Sequence, residues 1–190
     1  RQFRHDYKSH LFCMDALVVD RNYEELHRYL EKLHQFPVEQ IEIIPYTRNN
    51  SINLVLNQKQ KMAQKKGVQF QIEAQIDTVS NKNGRVQIYD FNALLSNLCD
   101  NAIEAASGVK NGEVHLRMMR KKAYLKIEIE NSTDGNILQQ NPEFETSKKN
   151  TQLHGLGIKI IKNIVKLYDG MYETEGTNHS LKTSILLMDE

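Results

Sequence analysis

Cysteine is scarce in this chain: only Cys13 and Cys99 occur among 190 residues. Two thiols make no disulfide framework. Each falls in a segment of helical periodicity, so the expectation is reduced thiol in a cytoplasmic compartment. Net charge is nearly absent too, since 25 Lys and Arg against 24 Asp and Glu leave +1. No basic field points to nucleic acid, and no acidic tail points to a basic partner. Long apolar runs are missing: stretches such as Ala16-Leu17-Val18-Val19 are far too short to span a bilayer. No signal-peptide pattern is present. The seven histidines include no His-x-x-x-His pair and none beside a cysteine pair at ligand spacing, which sets histidine metal chemistry aside. His27 and His34 share a helix face without an evident third ligand. Internal repeats and low-complexity tracts are also lacking.

What remains is an ordinary soluble composition, 39% hydrophobic and 26% charged, long enough for one domain of good size or a domain with a small appendage. The chain starts at Arg1 inside an apparent helix, without an initiator Met. That predicts a fragment whose upstream part, with any membrane segments, lies elsewhere.

Wound at about 100° per residue, residues 3–18 gather Phe3, Tyr7, His10, Leu11, Met14, Leu17 and Val18 on one stripe. His5 falls on the opposite face, before Asp6, with Ser9 one turn further along and Phe12 about two turns on. A histidine facing solvent at neutral pH is a good nucleophile. A second amphipathic helix follows the polar break Asp20-Arg21-Asn22 and carries Tyr23, Leu26, Leu30 and Leu33 on one face. It ends near Phe36-Pro37, because the residue before proline resists helix. The two predict an antiparallel hairpin. Some 36 residues cannot bury both stripes alone, so the hairpin is expected to pair with a copy of itself as a four-helix bundle.

Residues 37–47 read as a linker with Pro37 and Pro45. A helix over 49–66 stops at Gly67, and Val68–Ile76 alternates as a strand with one buried face. Asp90 is placed to N-cap a helix over 91–107. Alternating strands follow at 114–120 and 123–130, joined at Lys121-Lys122. A long aperiodic loop spans 131–154, and loops of that length are usually functional. A helix over 155–168 and a strand pair at 170–175 and 180–188 complete the chain. The pattern predicts an α+β fold, with a mixed sheet on one side and helices on the other. Domains are expected at 1–38 (hairpin), 39–48 (linker) and 49–190.

Two elements carry chemistry. On the helix over 91–106, Phe91, Leu94, Leu95, Leu98, Ala102 and Ala106 make the core stripe, and Asn97, Asp100, Asn101 and Glu104 share the other face. Paired asparagines flanked by carboxylates form a set of hard oxygen donors suited to Mg²⁺, which often takes its remaining ligands from phosphates. The second element is His154-Gly155-Leu156-Gly157, opening a helix. Glycines there let a phosphate approach backbone N–H groups and the positive end of the dipole. The preceding loop holds Thr146, Ser147, Lys148 and Lys149. It looks like a lid, with Lys148 or Lys149 available to a phosphate.

In order, Phe3-Arg4-His5-Asp6-Tyr7, then Leu95–Ala106, then His154-Gly155-Leu156-Gly157 resemble bacterial sensor histidine kinases. They are most similar to the group that includes peptide-pheromone (quorum-sensing) receptors of Gram-positive bacteria. The second and third motifs alone would indicate the wider GHKL ATPase superfamily, shared with Hsp90, type II topoisomerases and mismatch-repair ATPases. The resemblance covers essentially the whole chain. It implies a dimerising hairpin followed by a GHKL α/β sandwich that binds ATP and Mg²⁺. His5 would be the phosphoacceptor, and Asp6 would assist its proton or orient the ring. Ser9 stands where related kinases often carry Asn or Thr. Asn97 and Asn101 would hold Mg²⁺ and the triphosphate, joined by Asp100 and Glu104. Lys148, His154, Gly155, Leu156 and Gly157 would line the phosphates, and Thr183 would support the adenine pocket. Most GHKL proteins carry Asp-x-Gly-x-Gly after the strand that follows the asparagine helix. Here Asn131 stands in place of the aspartate, as in the pheromone-receptor group, and predicts weaker nucleotide affinity. Implied partners are a second copy through the N-terminal helices and a response-regulator receiver domain, for which Phe12 is a candidate contact. Nucleic acid is not implied. The fragment would be the cytoplasmic portion of a membrane-bound sensor. The rival expectations are a degenerate ATP-binding module without kinase activity and a non-kinase GHKL ATPase.

Overall fold

The computed structural model describes residues 2–34, 43–76, 84–135 and 156–190. The chain divides into two compact units, Arg1–Glu42 and Ile43–Glu190. In the first, α1 (Gln2–Val19) and α2 (Tyr23–His34) form the expected hairpin. Arg21 adopts a left-handed φ of 53° in the turn. The Asn22 side-chain oxygen accepts the Glu25 N–H at 3.2 Å, capping α2. Across the hairpin, His10 Nδ1 and the Tyr29 hydroxyl lie 2.8 Å apart. Two residues of the apolar stripe, Leu11 and Val18, stay 43% and 47% exposed. The hairpin alone leaves part of that stripe open. Phe12 is also exposed, as its position opposite the stripe predicts.

The second unit contains α3 (Asn50–Lys65), β1 (Gln69–Gln75), α4 (Ile88–Ala106), β2 (Glu113–Lys121), β3 (Tyr124–Ser132), α5 (Leu156–Leu167), β4 (Met171–Gly176) and β5 (Ser180–Met188). Asn49 caps α3 by accepting the N–H groups of Ser51 and Ile52. Gly67, at φ 70°, turns the chain out of that helix. The sheet order is β1-β2-β3-β5-β4. β1 and β2 run parallel, which requires a crossover, and α4 supplies it. The remaining neighbours are antiparallel, so the sheet is mixed, as expected.

The alternation of each strand decides its faces. Phe70, Val114, Leu116, Met118, Leu125, Ile127, Ile129, Ile185 and Leu187 are buried on one side. Glu73, Arg117, Glu128 and Lys182 occupy the other, with Arg117 paired to Glu73 and Lys182 to Glu128. α4 packs against β2 and β3, with α3 and α5 on either side of it. All six residues of its expected stripe are buried, together with Cys99 and Ile103.

The structure moves three boundaries. Asp90 does not cap α4: the helix begins at Ile88, with Gln87 at the cap. Asp90 sits instead in the first turn, where a carboxylate favours the dipole, and accepts the Tyr168 hydroxyl. The link between β2 and β3 is Lys122-Ala123, one residue later than expected, because Lys122 takes the left-handed φ of 55°. β3 runs on to Ser132, which puts Asn131 inside the strand rather than in a loop.

Candidate active site

α4 sets the frame of the site. The Asn97 amide nitrogen donates to the Ala93 carbonyl one turn back, at 2.7 Å, and this bond fixes where its oxygen lies. Gly157, the second residue of α5, approaches that oxygen. A Cβ built on Gly157 would stand 2.9 Å from Asn97 Oδ1 and 3.7 Å from Asn101 Oδ1. Two motifs 60 residues apart in sequence therefore meet, and the amide oxygens of Asn97 and Asn101 face the N-terminus of α5. The donors are neutral hard oxygens, beside a helix end that favours anions. Among the described residues, no group of three or more His, Cys, Asp or Glu is placed to hold a metal. The donor set thus suits a cation that draws its other ligands from water and phosphate.

Asp100 and Glu104 lie on the same face of α4, each part-buried. Asp100 is committed to a partner that the sequence reading missed. Lys59 of α3 donates to both its oxygens, at 2.7 and 2.8 Å. A signal was available: Lys59 lies on the buried stripe of α3 with Ile52, Leu56 and Ala63, and lysine is almost never fully buried without a partner. Cys99 is fully buried beside this pair, and burial pushes its thiol up to about 12.

Asn131 and Thr183 come from neighbouring strands. Asn131 is paired with Leu181, and Thr183 with Ile129, so the two are diagonal neighbours on the helix-covered face of the sheet. Both are buried. The Asn131 amide nitrogen donates to the Ser132 carbonyl at 3.0 Å. Its oxygen is then the side chain's acceptor for any further partner. Thr183 bonds the Tyr172 hydroxyl, whose pKa burial raises and that bond partly offsets. Beyond Asn131, Thr133 N–H donates to His179 carbonyl at 2.8 Å, and Gly135 N–H donates to Asn178 carbonyl at 3.1 Å. These bonds tie the start of the following segment to the β4–β5 turn.

The opposite face of the sheet holds a recess of about 350 Å³ lined by Glu113, His115, Arg117, Glu128, Glu130 and Lys182, among others. Hydrogen bonding to Lys182 holds the Glu128 carboxyl below its usual range, against desolvation and with help from Lys126.

His5, Asp6 and Ser9 are placed on α1, in the first unit. Leu156 opens α5. Lys148, His154 and Gly155 lie outside the described residues.

A family model described as a GHKL domain matches residues 86–188. A search among curated proteins finds no match. Among solved structures, the chain is similar to the catalytic domain of histidine kinase ThkA, at 19% identity over 74% of this chain and 90% of that one, with a TM-score of 0.55. It is similar to the histidine kinase domain of the blue-light activated kinase of Erythrobacter litoralis EL346, at 15% identity over 84% and 69%, with a TM-score of 0.56. Full-length ShkA in complex with AMPPNP matches at 12% identity over 82% of this chain and 33% of that one, with a TM-score of 0.55. With α4, the N-terminus of α5 and the mixed sheet in this arrangement, the chain belongs to the GHKL family and its second unit has the fold of histidine kinase catalytic domains.

Proposed function

We propose that this chain is the core of a sensor histidine kinase, which binds MgATP, phosphorylates His5 and passes the phosphoryl group to an aspartate of a response regulator. The observation that carries the reading is the approach of Gly157 to Asn97 and Asn101. In that arrangement the asparagine oxygens would hold Mg²⁺ and the triphosphate, and the N-terminus of α5 would take the phosphates on its backbone N–H groups. The chemistry that Mg²⁺ would supply there is neutralisation of charge on the transferring phosphoryl group. The protein's own part is positioning. Asn131 accepts from the adenine amino group without supplying charge, Thr183 supports the same pocket, and Asp6 orients the His5 ring as it takes the phosphoryl group. Lys148, His154, Gly155 and Leu156 complete the phosphate enclosure.

The half-open stripe of α1 supports a homodimer through the hairpin, since Leu11 and Val18 keep 43% and 47% of their surface. We assign the chain to the peptide-pheromone receptor type, as the cytoplasmic portion of a membrane-bound sensor. Phe12, 77% exposed on α1, is the contact assigned to the receiver domain. The test is incubation with labelled ATP and Mg²⁺ beside His5→Ala. Acid-labile, base-stable label that disappears in the variant is the expected result, and label that persists would overturn the assignment of His5. Asn131 favours a second reading, an ATP-binding module without kinase activity, because it replaces a charged adenine contact. That reading predicts nucleotide binding with no label at all.

A further inference from the structure

Lys59 contributes no atom to the face of α4 that carries the asparagines, yet it is bound to a residue of that face. Its side chain is 9% exposed, whereas that of Asp100 is 46% exposed. The ammonium reaches from the buried stripe of α3 to both Asp100 oxygens, at 2.7 and 2.8 Å. Asp100 is three residues after Asn97 and one before Asn101. Asn97 and Asp100, three apart on the helix, have neighbouring side chains, about 5–6 Å apart at Cβ. A bare carboxylate there would stand beside the oxygens that face α5, where a polyphosphate is expected.

We infer that Lys59 is a positioning residue for the nucleotide: by holding Asp100 as a neutral ion pair, it keeps a negative charge from opposing the triphosphate at Asn97 and Asn101. This rests on the MgATP reading above. A purely structural role would be to pin α3 to α4. The two differ in how the effect follows ligand charge. Repulsion scales with the charge of the ligand and fades with salt, whereas a loosened helix pair weakens every ligand alike.

The experiment measures binding of ATP, ADP and adenosine to the 190-residue chain by calorimetry or displacement, with melting curves alongside. Lys59→Met is expected to weaken ATP about tenfold and ADP about threefold, and to leave adenosine unchanged. Its effect on ATP should shrink at high salt. Adding Asp100→Asn to Lys59→Met should return ATP affinity to within about twofold of the parent. Asp100→Asn alone keeps an oxygen for Lys59 while removing the carboxylate charge, and should tighten ATP about threefold. That variant decides the matter if Lys59→Met does not fold. Equal weakening of adenosine and ATP, or no recovery in the double variant, would overturn the inference. So would weaker ATP binding in Asp100→Asn. A parent chain that binds adenosine but no better with phosphates attached removes the MgATP reading itself, and this inference with it.

Discussion

Replacing Gly157 by alanine separates the stability of this domain from its chemistry. The new methyl would sit 2.9 Å from Asn97 Oδ1, closer than a carbon tolerates, and 3.7 Å from Asn101 Oδ1. The obstructing atom is the end of a side chain, so the Asn97 amide can yield. It is held, however, by its 2.7 Å bond to the Ala93 carbonyl. Turning it off its rotamer costs about 0.5–1.5 kcal/mol, and losing the bond costs about 1 kcal/mol more. Against this, alanine in place of glycine stabilises a helix by about 0.5–1 kcal/mol. The terms offset in part, leaving a net loss of about 0.5–2 kcal/mol and a Tm lowered by no more than roughly 8 °C. Nucleotide affinity has no such compensation. The displaced oxygen is a proposed ligand, and the methyl fills the approach to the α5 N–H groups. Binding of MgATP should fall at least about tenfold, the equivalent of losing one hydrogen bond to a charged group. Titration calorimetry and a melting curve on the same sample read both quantities. A folded Gly157→Ala chain that binds MgATP as the parent does would refute the placement of the site.

Gly112→Ala should do the reverse, because its methyl would lie 2.0 Å from the Ala106 carbonyl oxygen, which is backbone and cannot turn aside; a loss of more than about 3 kcal/mol in denaturant unfolding is expected, and a normal midpoint would count against it. Lys182→Met should lower Tm at neutral pH by an amount that disappears in acid. Hydrogen bonding to Lys182 depresses the folded-state pKa of Glu128 from 4.5, so the stabilisation is present above that value and is lost as pH falls through the folded one; a difference that stays constant with pH would refute the pairing. Alkylation of the native chain near pH 8 should label Cys13, which is part-exposed, and spare Cys99, which is buried with its thiol pushed up to about 12; labelling of Cys99 at the same rate would contradict that burial.

The elements were legible wherever one periodicity dominates. The stripe from Phe91 to Ala106 and the alternation from Leu125 to Ile129 each report a face against the core. The candidate residues Asn97, Asn101 and Gly157 were legible because the asparagines lie four apart on one helix and the glycine opens another. What could not be read were partners far away in sequence. Asp90 reads as a helix cap by its neighbours, but it is occupied by Tyr168, 78 residues on. Asp100 shares the asparagine face by its spacing, and its bond to Lys59, 41 residues back, is not legible from that spacing. Arg120 and the buried Asp189 form a pair across 69 residues. In each case local pattern gives a side chain's direction, and only the tertiary fold says what stands there.

β5 lies between β3 and β4, which has a consequence for how the domain comes into being. A ribosome that has delivered residues 43–179 has made α3, α4, α5 and β1 to β4, but β3 and β4 have nothing between them. The sheet closes only when Ser180–Met188 emerges to pair on both sides. Asp189 then accepts the Val86 N–H at 2.7 Å and fixes the entry to α4. Thr183 arrives with the same strand, so the proposed adenine pocket and the sheet are completed together. A nascent or truncated chain ending short of residue 180 leaves the facing edges of β3 and β4 unpaired and lacks Thr183.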